Sequence, residues 1–337
     1  MKLVTPRHAI DHKPQANDFA VIEAEAPSCP PGGVLARVIH VSLDPYIGSA
    51  LRGRHMGHTP PVPMKDPVNA AVVAQVIKSD TEKVAAGDYI YSMDGAWAET
   101  IALNAEDIRK VSPEDAPLSA YLGVLGMPGL TAWAGVTQLA EVGKGDVFLV
   151  DAAAGPVGGT AGQIARIKGA SSVVGIAGGP EKCGIVKETY GFDTCVDYKD
   201  ADWRDALAEA LPGGLTAFFE NVSADMAMIA LSHARPYARG ILCGLVDAYH
   251  SEEQSQHPIN AGMIIGKRAK LMGLVVYDFY PRWDEFIAEA SAWIREGRLR
   301  FQEDRANGLD ALPSHFERLM NGENQGKALV QIAPEKL

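Results

Sequence analysis

Short stretches of alternating apolar and polar residues fill the first third of the chain. They cover residues 19–24, 34–41, 70–77 and 89–93, and prolines and glycines separate them, as in Pro30-Pro31-Gly32-Gly33. A period of two residues predicts strands with one buried face, and proline and glycine predict the turns between them. We therefore expect a small barrel-like β domain in this part of the chain.

The pattern changes near Gly126, after which apolar strands alternate with helical segments. Nearly continuous apolar strands separated by helices predict a parallel sheet that is covered on both faces. Six such strands form the two mononucleotide-binding halves of a Rossmann, doubly wound α/β fold. The predicted strands are residues 147–152, 172–177, 194–197, 216–220, 240–244 and 271–276. Helical periodicity fills the intervals, for example over residues 157–168, 181–190 and 224–234.

The final part of the chain departs from this alternation. Amphipathic helices are predicted over residues 283–296 and 309–319, and a last strand over residues 327–332. We expect that strand to pair back into the first domain. The predicted organisation is an α/β protein with a β-rich domain at residues 1–125 and 298–337 and a dinucleotide-binding domain at residues 126–297.

The composition disfavours several classes of partner. The 337 residues carry a formal net charge of -11 and no run of five or six lysines or arginines, which argues against nucleic acid and membrane surfaces. No apolar stretch reaches the roughly 18 residues of a membrane span, and the first residues lack the apolar core of a signal peptide. Cys29, Cys183, Cys195 and Cys243 have no metal-type spacing, so we expect free thiols and a cytoplasmic location.

One strand–loop–helix unit carries the pattern of a phosphate-binding loop. The strand at residues 147–152 runs into Ala153-Ala154-Gly155-Pro156-Val157-Gly158, and a helix follows. Against the fingerprint G-x-G-x-x-G, Ala153 takes the first position, and Gly155 and Gly158 take the second and third. The second glycine lets backbone approach a pyrophosphate and the third lets the helix pack on the strand, while N–H groups at the helix start face the anion. This unit predicts a nicotinamide dinucleotide site.

The tip of the next strand bears on which dinucleotide is bound. A site specific for NAD usually has Asp or Glu there, about twenty residues after the loop, to hold the ribose 2′-hydroxyl. This chain has Gly178-Gly179 instead, and the next positive group is Lys182, beside Glu181. Lys182 is either a point charge that meets the 2′-phosphate of NADPH or a solvated lysine at a helix start.

Candidate zinc ligands are scarce in the sequence. A zinc-dependent alcohol dehydrogenase needs a Cys, a His and another Cys or carboxylate around an open position, and the predicted first domain contains only Cys29. We interpret His55 and His58, which have no supporting thiol, as surface-loop residues, and we predict no metal site. Hydride transfer without a Lewis acid favours an activated acceptor, such as a C=C bond conjugated to a carbonyl.

Seven segments, spread in order over nearly the whole chain, carry a resemblance to a known family. They are Leu43-Asp44-Pro45-Tyr46, LGVLGMPGLTAW at residues 122–133, AAAGPVGG at 152–159, GIAGGPEKC at 175–183, FENV at 219–222, RGILCG at 239–244 and GENQGKALV at 322–330. The chain resembles the zinc-independent medium-chain dehydrogenase/reductases, in the leukotriene B4 dehydrogenase/prostaglandin reductase branch. That branch includes alkenal double-bond reductases and curcumin-type reductases.

The resemblance implies a fold, a cofactor and an assembly. The first domain would be a GroES-like β-barrel that binds a small activated alkene, the second a Rossmann domain that binds NADPH, and the chain would form a homodimer. It also implies that Lys182 and Tyr198 meet the adenosine phosphate. The residues assigned to the cofactor by the loop and the resemblance together are Met127, Pro128, Thr131, Ala154, Gly155, Pro156, Val157, Gly158, Gly178, Lys182, Tyr198, Asn221, Cys243, Gly244, Leu245, Tyr249, Leu274, Val275, Val276 and Asn324.

The chain departs from the family pattern in three places, and the first two, which neighbour the expected substrate cleft, make the inherited substrate preference unsafe. The family usually continues Asp-Pro-Tyr with Met-Arg, whereas Ile47-Gly48 follows Tyr46 here and the arginine is missing. Residues 61–69 replace a segment that is often glycine-rich in the family. Pro156 stands where alanine is common, and it removes one possible phosphate donor at the helix start.

The predicted reaction is a 1,4-reduction. Hydride from the nicotinamide attacks the β-carbon of an α,β-unsaturated aldehyde or ketone, and negative charge builds on the carbonyl oxygen as an enolate that preorganised donors must meet. Tyr249, which matches a family tyrosine, is the first candidate donor and Tyr46 the second, although each is alternatively a packed aromatic residue. The cofactor ribose 2′-hydroxyl is another donor, and a tyrosine or water protonates the α-carbon.

Two other functions are compatible with the same residues. Quinones are also activated hydride acceptors, so an NADPH quinone oxidoreductase is one alternative. A non-catalytic NADPH-binding protein is the other, although the intact loop and the candidate donors argue against it.

Overall fold

The computed structural model describes residues 1–53, 67–246 and 258–335. The described residues divide into two compact units. The first unit contains residues 1–53, 67–122 and 303–335, and the second contains residues 123–246 and 258–302. His55, His58, Tyr249 and residues 61–66 lie outside the described residues.

The first unit is a mostly antiparallel β structure, with strands numbered along the whole chain. Its strands are β1 (Lys2–Pro6), β2 (Phe19–Glu23), β3 (Gly33–Ser42), β4 (Asn69–Ser79), β5 (Tyr89–Ala96), β6 (Thr100–Asn104), β7 (Arg109–Val111), β14 (Glu303–Asn307) and β15 (Lys327–Gln331). Its α-helices are α1 (Pro45–Leu51) and α9 (Leu312–Met320). Short 3-10 helices cover Ala16–Asp18, Ala105–Asp107, Leu118–Leu122 and Leu309–Ala311.

Pairing in the larger sheet of this unit follows the order β14-β15-β3-β4-β5-β7, and β6 also pairs with β3. β1 and β2 form a separate antiparallel pair. β15 runs antiparallel to β3, with Leu329 opposite Ser42, which confirms that the last strand returns to the first domain. Behind the strands, the rings of Phe19, Trp97 and Phe316 pack with centroids 5.3 to 6.2 Å apart, so an aromatic cluster anchors α9 to the core.

The second unit contains the parallel sheet and its covering helices. Its strands are β8 (Val147–Val150), β9 (Ser172–Ala177), β10 (Thr194–Asp197), β11 (Leu215–Glu220), β12 (Ala234–Leu242) and β13 (Lys270–Gly273). Its α-helices are α2 (Met127–Trp133), α3 (Pro156–Lys168), α4 (Pro180–Gly184), α5 (Trp203–Ala210), α6 (Ala224–Ser232), α7 (Ala261–Lys267) and α8 (Trp283–Arg295). Short π-helices cover Ala134–Leu139 and Ile185–Thr189, and a 3-10 helix covers Val276–Arg282.

All neighbouring strands in this sheet are parallel, in the order β10-β9-β8-β11-β12-β13. Phe148, Leu149 and Val150 of β8 are at most 2% exposed, because helices cover both faces of a central parallel strand. The order reverses between β8 and β11, and ligands of such sheets bind outside the carboxyl ends of the strands at that reversal. The predicted α/β class with a six-stranded, doubly wound sheet is confirmed.

Several predicted elements differ from the observed ones at their ends. The strand predicted from residue 240 begins at Ala234, and it includes Tyr237 at a φ of +68°, which marks an irregularity that alternation does not reveal. The strand predicted to residue 276 ends at Gly273, because a 3-10 helix begins at Val276. The helix predicted over residues 309–319 starts as a 3-10 turn, and α9 begins at Leu312 with Pro313 in its first turn, where a missing N–H is tolerated.

Candidate active site

The loop between β8 and α3 depends on glycine. β8 ends at Val150, and the N–H of Gly155, the residue before α3, donates to the carbonyl oxygen of Ala152 at 2.9 Å. A Cβ on Gly158 would lie 2.6 Å from the Ala152 carbonyl oxygen and 2.8 Å from that of Asp151. Only glycine therefore lets the start of the helix rest on the end of the strand, which is the role of the third glycine in the dinucleotide fingerprint.

The first turn of α3 presents backbone donors at this loop. Pro156, its first residue, has no N–H, and Gly159 donates a helical bond to the carbonyl oxygen of Gly155 at 2.9 Å. The N–H groups of Val157 and Gly158 precede that bond, as in the first turn of any helix. Two N–H groups and the positive end of the helix dipole therefore lie where a phosphate group can be bound.

The tip of β9 carries no acidic residue. Gly179 has a φ of +99°, which favours glycine, and its N–H donates to Oδ1 of Asp197 at 2.8 Å. The Tyr198 ring lies against Gly178, where a Cβ would be 2.7 Å from the ring, and 51% of Tyr198 is exposed. Lys182 lies half-buried on α4. An aromatic ring and a lysine thus follow a glycine tip, a combination that suits a phosphorylated ribose better than a free 2′-hydroxyl.

Asp151 and Asn221 meet at the reversal of strand order. Asp151 follows β8 and Asn221 follows β11, so both lie at the carboxyl ends of adjacent strands. The Asn221 N–H donates to Asp151 Oδ1 at 2.7 Å, and its amide Nδ2 donates to the Asp151 carbonyl oxygen at 3.2 Å. Both residues are buried, so these bonds fix the orientation of the Asn221 side chain, which is a predicted neighbour of the nicotinamide ribose.

Glu220, the last residue of β11, is a buried acid beside Asp151 that the sequence reasoning missed. Its Oε1 accepts the N–H groups of Val222 and Ser223, each at 2.7 Å. Burial and the neighbouring Asp151 raise the pKa of Glu220 to about 11, and burial also raises the pKa of Asp151. Oδ2 of Asp151 is buried and accepts no other described donor. Glu220 therefore keeps its proton at neutral pH and shares it with Asp151, because two adjacent buried carboxylates cannot both ionise.

The loop after β12 packs on the same residues. The Cys243 N–H donates to the Glu220 carbonyl oxygen at 2.9 Å, and the Val246 N–H donates to that of Asn221 at 3.2 Å. Burial, with a contribution from the two carboxyl groups, raises the pKa of Cys243 to about 12, so this thiol stays protonated. Tyr249, the first predicted proton donor, lies beyond this loop and outside the described residues.

The three residues predicted to contact the cofactor after β13 differ from one another in exposure and backbone geometry. Leu274, just after β13, is 6% exposed, and its N–H donates to the carbonyl oxygen of Leu242 at 3.0 Å. Val275 is 38% exposed, and Val276 begins a 3-10 helix. Leu274 therefore continues the sheet by one bond, Val275 keeps an extended backbone, and Val276 leaves strand geometry.

The start of α2 is held by close backbone contact within the second unit. A Cβ on Gly129 would lie 1.9 Å from the Val124 carbonyl oxygen, so no side chain fits there. Thr131 donates its hydroxyl to the Met127 carbonyl oxygen at 2.7 Å, one helical turn back. The predicted site residues Met127, Pro128 and Thr131 thus belong to one rigid helical turn.

Tyr46 and Asn324 belong to the first unit. Tyr46 is partly buried on α1 and packs against the core. The residue at the start of that helix, Asp44, pairs with Lys327 of β15, with Nζ 2.7 Å from Oδ1, and the same ammonium donates to the Leu43 carbonyl oxygen at 2.6 Å. Asn324 donates its Nδ2 to the Gly326 carbonyl oxygen at 2.8 Å. A buried ion pair that the sequence reasoning missed therefore joins the two segments that carry Tyr46 and Asn324.

The second unit contains most of the predicted cofactor residues. They are Met127, Pro128, Thr131, Ala154, Gly155, Pro156, Val157, Gly158, Gly178, Lys182, Tyr198, Asn221, Cys243, Gly244, Leu245, Leu274, Val275 and Val276. The glycine-dependent loop and the donors of α3 fit a pyrophosphate, and the acid-free tip fits a phosphorylated ribose. The individual contacts of these residues with a cofactor stay predictions.

Among residues 1–53, 67–246 and 258–335, no group of three or more His, Cys, Asp or Glu side chains could hold a metal ion. In the same part of the chain, no helix has the length and apolar character needed to cross a membrane.

The fold and the site define a two-domain dehydrogenase or reductase with a dinucleotide-binding sheet, and comparisons with known proteins narrow this class. Residues 156–292 match the family model described as zinc-binding dehydrogenase, and residues 4–111 match the model for the N-terminal domain of oxidoreductases. The chain belongs to the zinc-independent medium-chain family of alkenal and prostaglandin reductases.

Three relatives illustrate the similarity. The chain is 33% identical to the NADPH-dependent curcumin reductase of Escherichia coli, over 95% of this chain and 93% of that protein. It is 34% identical to the NADP-dependent 2-alkenal reductase of Nicotiana tabacum, over 90% of this chain and 88% of that protein. The structure of CurA from Vibrio vulnificus in complex with NADPH superposes with a TM-score of 0.89 at 30% identity, and covers 99% of this chain and 100% of that one.

Proposed function

We propose that this chain is an NADPH-dependent reductase of the C=C bond of α,β-unsaturated aldehydes and ketones. The observation that carries the proposal is the β8–α3 phosphate loop followed by the acid-free tip at Gly178, with Lys182 and Tyr198 beside it. Two relatives support the cofactor and the reaction, because proteins with 33% and 34% identity over at least 90% of this chain are named as an NADPH-dependent curcumin reductase and an NADP-dependent 2-alkenal reductase.

The two units have separate roles in this proposal. We assign cofactor binding to the second unit and substrate binding to the first, and we assign Asn324 of the first unit to the cofactor as well. When bound, NADPH supplies a hydride that its nicotinamide C4 gives to the β-carbon of the substrate. The chain supplies N–H groups of α3 for the pyrophosphate, the ammonium of Lys182 for the 2′-phosphate, and a fixed amide at Asn221 for the ribose.

Tyrosine hydroxyls complete the proposed chemistry. Negative charge that develops on the substrate carbonyl oxygen needs a donor in place before the reaction, because donors oriented in advance require no reorganisation during it. We assign this role to Tyr249 first and to Tyr46 second, and protonation of the α-carbon to one of these hydroxyls or to water. Tyr249→Phe and Tyr46→Phe are assayed separately. The donor is the tyrosine whose replacement lowers turnover while the variant still binds NADPH.

A steady-state screen of NADPH oxidation tests the reaction. The acceptors are 2-alkenals, conjugated enones, quinones and saturated ketones, with saturated alcohols plus NADP⁺ as the reverse assay. We expect turnover with enals and enones, and the products should be saturated aldehydes or ketones that keep the carbonyl group and the same number of carbon atoms. Turnover with quinones alone would replace the proposal by quinone reduction. NADPH binding without oxidation by any acceptor would make the chain a binding protein.

Replacement of Lys182 tests the cofactor assignment. Lys182→Ala removes the charge assigned to the 2′-phosphate, so we expect the Kd of NADPH to rise about tenfold, which corresponds to about 1.4 kcal/mol, with little change in the Kd of NADH. The matched control is Lys187→Ala, because Lys187 is an exposed lysine of the following π-helix. An equal loss of affinity for both dinucleotides would contradict the assignment.

A further inference from the structure

Two thiols lie in contact on elements that carry residues of the predicted 2′-phosphate site. Cys183 is on α4 directly after Lys182, and Cys195 is on β10. The Cys195 thiol donates to the Sγ of Cys183, with the sulfur atoms 2.9 Å apart, and neither thiol is in a disulfide. A disulfide needs about 2.05 Å between the sulfurs, so an approach of about 0.9 Å separates this pair from a covalent bond.

We propose that Cys183 and Cys195 form a reversible disulfide when a peroxide oxidises the protein, and that this bond weakens the binding of NADPH. The inference rests on the proposed function, because it takes the tip of β9 as the site of the 2′-phosphate.

The coupling from the thiols to the tip is short. Cys183 shares α4 with Lys182, and Cys195 lies two residues before Asp197, which accepts the Gly179 N–H at 2.8 Å. The helix start and the end of β10 are therefore already joined at the tip. A bond between the sulfurs pulls α4 toward β10 a second time, and closely packed interiors transmit such shifts to their neighbours. Lys182 moves with the helix and leaves the position in which the reduced protein holds it.

The oxidation step balances with a peroxide as the oxidant. The Cys183 thiolate attacks one peroxide oxygen, the O–O bond breaks, and hydroxide or alkoxide leaves to give a sulfenic acid on Cys183. The Cys195 sulfur then attacks the Cys183 sulfur, the S–S bond forms and the S–O bond breaks. Two thiols lose two electrons and two protons, and one hydrogen peroxide becomes two waters. An added dithiol reverses the reaction by exchange.

The hydrogen bond between the thiols selects Cys183 as the attacking group. Burial raises the pKa of both thiols. The hydrogen bond between them lowers the pKa of Cys183, which accepts it, and raises the pKa of Cys195, which donates it. Asp197 raises both values further, and Lys187 lowers both. Because only the thiolate reacts, we expect disulfide formation to be slow at neutral pH and to accelerate beyond about pH 8.5, where an unperturbed thiol levels off.

The test oxidises the full-length protein and follows the bond and the binding separately. Reduced protein is treated with hydrogen peroxide, the disulfide is located by peptide mass spectrometry, and the Kd of NADPH and of NADH is measured by fluorescence titration. We expect a Cys183–Cys195 linkage and an increase of about threefold to fivefold in the Kd of NADPH, the factor for loss of one partly screened charge contact. The Kd of NADH changes less, and dithiothreitol restores the original values.

Cys183→Ser and Cys195→Ser should each abolish both the linkage and the peroxide effect. Cys29→Ser is the control that keeps them, because Cys29 lies in the first unit. Thermal midpoints of the reduced variants show whether each one folds. A disulfide that leaves the affinity for NADPH unchanged, or a loss of affinity that survives in both serine variants, overturns the inference. Reduced protein that does not bind NADPH at all refutes the proposed function instead.

Discussion

The two units each bury a carboxyl group, and they stabilise it in opposite ways. Asp44 of the first unit is 5% exposed and lies beside the ammonium of Lys327 at 2.7 Å, so an opposite charge compensates it. Asp151 of the second unit is 4% exposed and lies beside a second acid, Glu220, so a shared proton removes one of the two charges. One site is a buried ion pair, and the other is a pair of acids in which Glu220 is protonated.

The difference has consequences for stability. A buried ion pair is sensitive to loss of either partner, because the remaining charge has no compensation. An acid pair with one proton depends instead on a neutral donor, which an uncharged side chain of the same shape can replace. The pH dependence also differs in sign, because burial makes Lys327 release its proton more easily and makes Glu220 hold its proton more tightly.

The largest expected effect comes from breaking the ion pair. Lys327→Met leaves Asp44 buried with the Ser42 hydroxyl as its remaining side-chain donor among the described residues, and we expect a loss of about 3 to 5 kcal/mol in the free energy of unfolding, measured by urea denaturation. The double variant Lys327→Met with Asp44→Asn removes the stranded charge and should recover most of that loss. A loss below about 1 kcal/mol in the single variant would show that Asp44 is not electrostatically dependent on Lys327.

A smaller effect is expected at the acid pair, and it should depend on the replacement. Glu220→Ala removes the hydrogen bond between the two carboxyl groups and leaves the N–H groups of Val222 and Ser223 without their acceptor, so we expect a loss of about 1 to 3 kcal/mol. Glu220→Gln keeps an acceptor oxygen and supplies an amide donor, so its loss should stay below about 1 kcal/mol. Equal losses in the two variants would argue against a shared proton.

The smallest effect is a difference in how stability changes with pH. The pKa of Glu220 is raised from 4.5 to about 11, so the folded state keeps a proton that the unfolded state releases, and this contribution to stability falls as pH rises through that window. The pKa of Lys327 is lowered from 10.5, so the unfolded state binds the extra proton, and its contribution rises as pH approaches 10.5.

Urea denaturation at several pH values from about 7 up to 10.5 measures both slopes, each limited to about 1.4 kcal/mol per pH unit, and the rise from Lys327 is expected toward the upper end of that range. Relative to the unsubstituted protein, Glu220→Gln should reduce the fall in stability with rising pH, and Lys327→Met should remove the rise in stability with rising pH. The same change of slope in both variants would mean that the two sites do not differ in the way described.

Local patterns in the sequence were sufficient to predict the parallel sheet. The strands at residues 172–177 and 194–197 agree with β9 and β10 to the residue, because each is a short apolar run with a glycine or a polar turn at its end. The phosphate loop was predictable for the same reason, since its glycines meet the backbone of residues within seven positions in the chain. The ends of β12 and β13 were not predictable, because the irregularity within β12 and the 3-10 helix after β13 depend on packing.

Pairs of side chains from distant segments could not be predicted in this way. Asp44 and Lys327 are 283 residues apart, and nothing in the spacing of either residue indicates the other. The acid pair left a signal, because Asp151 and Glu220 each follow or end an apolar strand, and the order of a doubly wound sheet makes those two strands neighbours. Cys183 and Cys195 belong to elements that the strand order brings together, but contact between their sulfurs depends on the path of α4.

The return of β15 to the first unit has a consequence for synthesis. The described residues of the second unit, 123–246 and 258–302, all precede β15, whereas the first unit has residues on both sides of them. A ribosome therefore finishes the described strands of the nucleotide-binding sheet before it adds β15, which pairs with residues 40–42 of β3. Until then Asp44 has no lysine, so we expect the nascent first unit to be sensitive to proteolysis while the second is already protected.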